Sequence, residues 1–262
     1  MSNKFLWLAI FSVIIVVVFA LAVTPAFIYP KAAVISVHGQ IDYESYAANP
    51  EKFGRQVREA EDDPSVKAIV IFLNSPGGSV VASRELARVL TSTTKPTVCW
   101  VGDVAASGAY WIASSCNHIV ADELSVTGSI GATSAYLQLS GLLKKYDVDY
   151  KQLTTGKFKD SGSPYRELTK EEEAMFRDSL DKVLERFAES VSENRNISVE
   201  KIKSLEGKAM LGEEALSLGL IDSLGGREEV LRVIEQKTKE KEIKLEFYEK
   251  ESELETLLQY LP

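Results

Sequence analysis

The stretch VKAIVIFLNSPGGS, residues 66–79, is the feature that most constrains how this chain folds. Its first eight residues are almost continuously apolar, a pattern typical of a strand that is covered on both faces of a parallel sheet. The glycines and proline of NSPGGS predict a turn, and VVASRELARVL after it predicts a helix. A strand, a turn and a helix in this order indicate a βαβ unit.

The alternation of strands and helices extends along the chain and predicts an α/β fold with a largely parallel sheet. We predict further strands at 32–37, 97–101, 118–121 and 148–154, helices at 51–61 and from Lys170 to about Asn194, and loops at 125–132 and 155–164. Residues 31–226 form the predicted main domain. Residues 227–262 form a charged helical tail with a strand at 243–248, either packed on that domain or used in assembly.

The N-terminal segment has a different composition. Phe5 to Tyr29 is a run of 25 residues without a charge, whereas a membrane-spanning helix needs roughly 20 apolar residues. We therefore predict an N-terminal membrane anchor over residues 1–30, with the rest of the chain outside the cytoplasm. The alternative is a cleaved signal peptide ending near Ala20-Leu21-Ala22. The apolar run continues past that point, which favours the retained anchor.

Charge and residue usage argue against several classes of function. The chain has 38 acidic and 30 basic residues, which disfavours nucleic-acid binding because that function requires a basic surface. No phosphate-binding GxxxxGK[ST] motif is present, and two separated histidines make no metal cluster. We therefore expect no metal and no cofactor. Cys99 and Cys116 stand in apolar contexts, which predicts buried free thiols rather than a disulfide.

The stretch GDVAASGAYWIAS, residues 102–114, contains a serine whose role is open. Ser107 follows a predicted strand and precedes a predicted helix, where a serine commonly caps the helix with its hydroxyl. The same position would also suit a nucleophile. In that case the N–H groups of Gly108 and Gly78 are candidates for an oxyanion hole, since two backbone donors aimed at one oxygen stabilise its developing charge.

The identity of the general base is the difficulty for the nucleophile interpretation. His38 and His118 are both expected to be structural, and no serine lies in a GxSxG motif. A lysine can act as a base only when it is neutral, which burial in an apolar site favours. Lys157 and Lys159 lie in a loop rich in glycine and serine. Composition alone does not choose between them.

Five motifs taken together carry a family resemblance: NSPGGS, AASGAYWIA, SVTGSIGA, TGKFKDSGSPYREL and AMLGEEALSLGLIDSLGG. In this order and spacing, from about Ala33 to Gly226, they resemble the signal peptide peptidase A family of serine peptidases. The resemblance implies the crotonase-like fold of the Clp protease proteolytic subunit. It also implies that Ser107 is the nucleophile and that Lys159, rather than Lys157, is the base.

The resemblance implies further roles and partners. Ser129 matches the serine that orients the lysine, and Gly78 and Gly108 match the oxyanion-hole donors. In short members of the family, serine and lysine come from neighbouring subunits of a homo-oligomeric ring, by resemblance an octamer. The implied substrates are cleaved signal peptides and membrane-protein fragments. Ala109 departs from the family, which often has a second glycine there.

Three rival functions remain open at this point. The first is a related membrane protease that cleaves stomatin-type partner proteins. The second is an acyl-CoA hydratase or isomerase of the same fold, which would use the same paired N–H groups with acidic catalysts. The third is a catalytically silent scaffold, which the joint presence of Ser107, Ser129 and Lys159 disfavours.

Overall fold

The computed structural model describes residues 29–45 and 48–248. The strands are β1 Lys31–Ile41, β2 Val66–Gly78, β3 Thr97–Ala106, β4 His118–Ala121, β5 Val126–Gly128, β6 Ala209–Leu211, β7 Ser223–Leu224 and β8 Lys244–Phe247. The helices are α1 Pro50–Asp62, α2 Val80–Thr91, α3 Gly108–Ser114, α4 Ser140–Lys145, α5 Lys170–Arg195, α6 Val199–Lys203, α7 Gly212–Ser217 and α8 Arg227–Thr238. The predicted α/β class is therefore confirmed.

The strands form one eight-stranded sheet with the order β6-β5-β3-β2-β1-β8. β4 pairs with the first half of β3, whereas β5 pairs with its last residues, from Val104 to Ala106. β7 pairs with β4. All pairs are parallel except β5 with β6. The carboxyl ends of β2 and β3 consequently lie next to each other, and both carry candidate site residues.

Helices cover both faces of the sheet, which explains why β2 is apolar along most of its length. On one face, Ile35 of β1 and Ile71 of β2 belong to a large buried cluster that includes residues of α1, α2, α3 and α5. On the other face, Val70 of β2 and Val98 of β3 are buried with residues of α8. The predicted free thiols are confirmed, since Cys99 and Cys116 are both buried and unpaired.

The C-terminal tail begins with α8, whose Val230, Val233 and Ile234 are buried in the second cluster. β8 then adds a parallel strand to β1 at the edge of the sheet. The last residues of the tail, 249–262, lie outside the described residues, as does nearly all of the predicted anchor over residues 1–30. Within the described ranges, no helix has the length and apolar character to cross a membrane.

Three local predictions were wrong. NSPGGS was predicted as a turn, yet β2 continues through it as far as Gly78 and stays paired with β1. Residues 148–154 alternate in polarity in the way a strand does, yet they are not a strand, and Tyr150 and Leu153 are exposed. An alternating pattern becomes a strand only beside a partner strand and a core, and the described chain offers this segment neither. Conversely, the predicted loop at 125–132 contains β5, because Val126 to Gly128 pair with both β3 and β6.

Candidate active site

Ser107 lies at the junction between β3 and α3 in an unusual backbone conformation. Its φ is 51° and its ψ is −124°, a region that non-glycine residues rarely occupy and that stores strain. Its N–H donates to the Gly128 carbonyl at 2.9 Å, and its carbonyl accepts from the Trp111 N–H at 3.0 Å. The side chain is half-buried and caps no helical N–H. The capping interpretation of Ser107 is therefore wrong.

The paired glycines at the end of β2 pack against this junction. Gly77 has a φ of +102°, and a methyl group there would lie 2.7 Å from the Gly108 nitrogen and 2.9 Å from Ser107 Cβ. A methyl group at Gly78 would lie 2.1 Å from the Ile41 carbonyl oxygen. Neither position tolerates a side chain, because real Cβ atoms do not approach other atoms so closely. Gly77 thus allows the backbone of β2 to lie directly beside Ser107, and Gly78 allows it to lie directly beside Ile41 of β1.

The N–H groups of Gly78 and Gly108 are the two candidate oxyanion donors, and their surroundings can be compared. Ser79 N–H donates to Ile41 O at 2.7 Å. Successive N–H groups of a strand point to opposite edges, so the Gly78 N–H faces away from β1. Gly108 is the first residue of α3, and N–H groups in the first turn of a helix have no acceptor within it. The ideal Cβ position of Gly108 lies 3.3 Å from the Gly78 nitrogen. The two candidate donors are therefore close neighbours.

Ser83 of α2 packs directly against Gly108. The sequence had not predicted any role for it. A methyl group on Gly108 would lie 2.1 Å from Ser83 Oγ, and Ser83 is fully buried. Its hydroxyl has no hydrogen-bond partner among the described residues. Ser83 therefore requires a glycine at 108. The only sequence signal for it is a small polar residue at a position of α2 that faces the core.

Ser129, the predicted lysine-orienting residue, comes immediately after the Gly128 carbonyl that binds Ser107. Its φ of 52° is again in the left-handed region, and its N–H donates to Lys208 O at 2.9 Å. No described group is hydrogen-bonded to its half-buried hydroxyl. The structure thus brings Ser107, Ser129, Gly78 and Gly108 to one corner of the sheet.

Lys159 is not joined to this corner within one chain. It is exposed in the turn-rich loop before α5, where its N–H donates to Gly156 O at 3.1 Å. Its ammonium has no hydrogen-bonding or ionic partner among the described residues. The expectation of a buried lysine is therefore not met by a single chain. Lys157, by contrast, is paired with Glu171 and lies over the ring of Phe158.

Neither histidine is bonded to Ser107. His118 Nε2 lies 2.9 Å from Ser223 Oγ, and burial lowers the pKa of His118. The ring of His38 packs edge-on against Phe72, with 5.3 Å between the ring centroids. These contacts suit the structural roles that the sequence predicted for both residues.

The fold and this corner of the sheet define an α/β protein with a strained, half-buried serine beside two closely spaced backbone N–H groups, an arrangement found in acyl-transfer enzymes. The model of peptidase family S49 matches residues 90–241, and the chain belongs to this family. The predicted resemblance to signal peptide peptidase A is therefore confirmed.

Individual relatives and solved structures are similar to this chain over most of its length. The serine protease SPPA of Arabidopsis thaliana chloroplasts is 32% identical over 216 residues, which are 81% of this chain and 32% of that protein. A Listeria monocytogenes ClpP1 mutant has a TM-score of 0.53 at 14% identity, over 75% of this chain and 92% of its own. A mutant of the membrane-bound stomatin-specific protease 1510-N has a TM-score of 0.54 at 16% identity, and the match covers 84% of this chain and 97% of that one.

The two structural similarities confirm the Clp-like fold. The chain spans 32% to 58% of the length of three of the curated relatives that it matches.

Proposed function

We propose that this chain is a membrane-anchored serine endopeptidase that uses a Ser107–Lys159 dyad. Ser107 Oγ attacks the carbonyl carbon of a peptide bond, and Lys159 Nζ accepts the hydroxyl proton. The N–H groups of Gly78 and Gly108 bind the oxyanion, and the Lys159 proton passes to the leaving amine. Water then hydrolyses the acyl-enzyme by the same route. The reaction requires no metal or cofactor.

The observation that carries this proposal is the backbone of Ser107. A positive φ at a non-glycine residue costs free energy, on the order of 1–3 kcal/mol, and such residues cluster at active sites. Here the Ser107 side chain caps no N–H of α3, and its Cβ lies beside Gly77, where a methyl group on the glycine would be only 2.9 Å away. A purely structural serine at this position would be expected to hydrogen-bond the helix N-terminus.

The exposure of Lys159 supports a site shared between two copies of the chain. The segment around it, residues 136–165, exposes many large apolar side chains: Tyr136, Leu137, Leu142, Tyr146, Val148, Tyr150, Leu153, Phe158 and Tyr165. A concentration of exposed apolar side chains in one segment is typical of a protein–protein contact surface. A second copy that covers this segment would desolvate Lys159, which favours its neutral form. The assembly is then a closed homo-oligomeric ring with heterologous contacts.

The anchor indicates where the enzyme acts. Residues 5–29 are apolar and long enough to span a bilayer, so the catalytic domain would stay within reach of peptides left in the membrane. We propose cleaved signal peptides and hydrophobic membrane-protein fragments as the substrates. The catalytic domain lies on the extracytoplasmic side.

Two single substitutions test the chemistry. Ser107→Ala and Lys159→Ala in the full chain, purified in detergent, are each expected to abolish cleavage of a hydrophobic reporter peptide. Lys157→Ala is the matched control, because Lys157 lies two residues away on the same loop, and it should retain most activity. Near-normal cleavage by Lys159→Ala would overturn the base assignment. Cleavage by Ser107→Ala would overturn the nucleophile.

A further inference from the structure

The loop that carries Lys159, residues 155–166, has little regular structure of its own. Its internal backbone hydrogen bonds are short-range, from Lys159 N–H to Gly156 O at 3.1 Å and from Ser161 N–H to Phe158 O at 3.2 Å. Such turns do not by themselves fix a side chain to the precision that proton transfer needs. Side-chain contacts join this loop to a rigid element, helix α5.

Glu172, in the first turn of α5, makes those contacts. Its side chain is only 3% exposed. Arg166 Nη2 donates to Glu172 Oε1 at 2.6 Å, and Arg166 Nη1 donates to Oε2 at 2.9 Å. Ser161 Oγ, two residues after Lys159, also donates to Oε1 at 2.9 Å. One buried carboxylate thus binds the loop through Ser161 and also through a bidentate contact with Arg166.

Arg166 extends the network to the residue next to Lys159. Its Nε donates to Asp160 Oδ2 at 3.1 Å, and its Nη2 donates to the Asp160 carbonyl at 2.9 Å. Both the backbone and the side chain of Asp160 are therefore held. Since Asp160 follows Lys159 directly, these bonds restrict the backbone immediately after the lysine.

The network is attached to helix α5 through its N-terminal cap. Thr169 caps α5 and forms a capping box with Glu172: Thr169 N–H donates to Glu172 Oε2 at 2.9 Å, and Glu172 N–H donates to Thr169 Oγ1 at 3.2 Å. A capping box alone satisfies a helix end. Here the same carboxylate also accepts from Arg166 and Ser161. Arg166 first, and Thr169 next, hold the pKa of Glu172 well below its usual range.

We propose that Glu172, together with Arg166, is a positioning residue for the general base: the pair fixes the loop of Lys159 to the first turn of α5 so that the ammonium is presented at one place. The proposal rests on the role of Lys159 proposed above. The adjacent pair Glu173–Arg177 does not share this role, because it is an exposed i,i+4 contact on the helix surface.

The test compares Glu172→Gln with the matched control Glu173→Gln in the full chain, with turnover normalised to folded assemblies. Glu172→Gln should lower kcat at least about tenfold and leave KM within about twofold, since it displaces a base without touching the substrate. Hydrogen–deuterium exchange of residues 155–166 should rise in Glu172→Gln only. Arg166→Lys should lose less activity than Arg166→Ala, because it keeps the charge but not the paired contact.

If Glu172→Gln fails to fold, Ser161→Ala serves as a second variant, since it removes one donor to the carboxylate; it should lower kcat and raise exchange in the loop. Wild-type kcat in Glu172→Gln, or in the fallback variant, while Lys159→Ala is inactive, would overturn the positioning role alone. Equal losses in Glu172→Gln and Glu173→Gln would also overturn it. An active Lys159→Ala would instead overturn the proposed base. Hydrogen–deuterium exchange would still show whether Glu172 restrains residues 155–166, because that measurement does not depend on catalysis.

Discussion

The Ser107 N–H donates a hydrogen bond to the Gly128 carbonyl, with 2.9 Å between nitrogen and oxygen. This bond ties the end of β3 to the end of β5. It places Ser129, the residue after Gly128, next to the proposed nucleophile. Because both serines have positive φ values, the two strand ends turn sharply at the same corner of the sheet.

Ser129 is predicted to orient the base and not to hold the fold. Ser129→Ala should lower kcat by about tenfold or more, because the proposed role of its hydroxyl is to orient Lys159. KM should change little, because the hydroxyl is not proposed to bind the substrate. Steady-state cleavage of a reporter peptide measures both constants. Ser217→Ala is the control, since Ser217 is an exposed serine that bonds only its own helix. Equal rates in wild type and Ser129→Ala would remove Ser129 from the mechanism.

Gly108 is predicted to be required because of Ser83. Gly108→Ala would bring a methyl group 2.1 Å from Ser83 Oγ, and the N–H donor would be displaced. Loss of one oxyanion donor costs roughly 10²–10³ in kcat. Ser83→Gly in the same chain removes the obstructing side chain and should restore part of the activity.

A second glycine provides the control for that experiment. A methyl group at Gly226, which lies outside residues 136–165, meets no atom within 4 Å, so Gly226→Ala should cleave normally. Full activity of Gly108→Ala alone would contradict the close packing of Gly108 on Ser83. A double variant no better than the single one would show that another contact is responsible.

Arg195 and Asp222 form a largely buried ion pair that should matter for stability. Arg195 Nη2 donates to Asp222 Oδ1 at 2.7 Å, the Arg195 side chain is 7% exposed, and Ile119 N–H donates to Asp222 Oδ2 at 2.8 Å. Asp222→Ala removes the carboxylate partner of Arg195 and leaves only the bonds from Arg195 to the Gly219 carbonyl. Because Asp222 is 30% exposed, the cost should lie between about 1 kcal/mol for a surface pair and about 3–5 kcal/mol for a fully buried pair. Denaturant unfolding of the full chain in detergent measures the loss.

The exposed pair Lys182–Asp178 on α5 is the matched control, with side chains 74% and 60% exposed. Asp178→Ala should change the free energy of unfolding by no more than about 1 kcal/mol. If both substitutions had the same small effect, the Arg195–Asp222 pair would be no more important than a surface contact.

His118 should make the protein less stable in mild acid. Burial lowers the pKa of His118 in the folded chain, although the nearby Asp222 and Glu229 carboxylates oppose this shift and Lys237 and Arg195 reinforce it. The unfolded chain therefore binds the proton more readily, so stability falls as pH drops below about 6.5, the usual histidine value. Unfolding free energies at pH 7.5 and 5.5 should differ more in wild type than in His118→Gln. An identical pH dependence would exclude His118 as the cause.

The sequence predicted the parts of the fold that depend on local pattern. The apolar run of β2 and the helix after NSPGGS follow from residue types alone, because a doubly covered strand must be apolar throughout. The alternating segment at 148–154 misled, since its polarity pattern says nothing about whether a partner strand is nearby. The sequence did not predict a strand at Val126 to Gly128, because the glycines there indicated a loop. The segment is a strand because β3 and β6 lie on either side of it.

Four of the predicted site residues lie at one corner of the sheet: Ser107, Ser129, Gly78 and Gly108. Their proposed roles and that of Lys159 stay predictions. Small residues around Ser107 indicated close backbone approach, and Gly77 of NSPGGS does lie directly beside it. The spacing of Ser107 and Lys159 along the chain does not indicate whether one chain supplies both residues, and a site shared between copies follows only from the family resemblance and stays a proposal. Glu172 could have been found from the Thr-x-x-Glu spacing of Thr169 and Glu172, but its bonds to Arg166 and Ser161 depend on the folded loop.

The most direct test of the shared site mixes two inactive variants. Ser107→Ala and Lys159→Ala chains are combined in equal amounts, subunit exchange is verified with fluorescent labels, and peptide cleavage is measured. In a ring where each site takes its serine from one chain and its lysine from the next, random mixing completes about a quarter of the sites. We therefore predict about a quarter of wild-type activity. Complete inactivity despite verified exchange would contradict a site shared between copies.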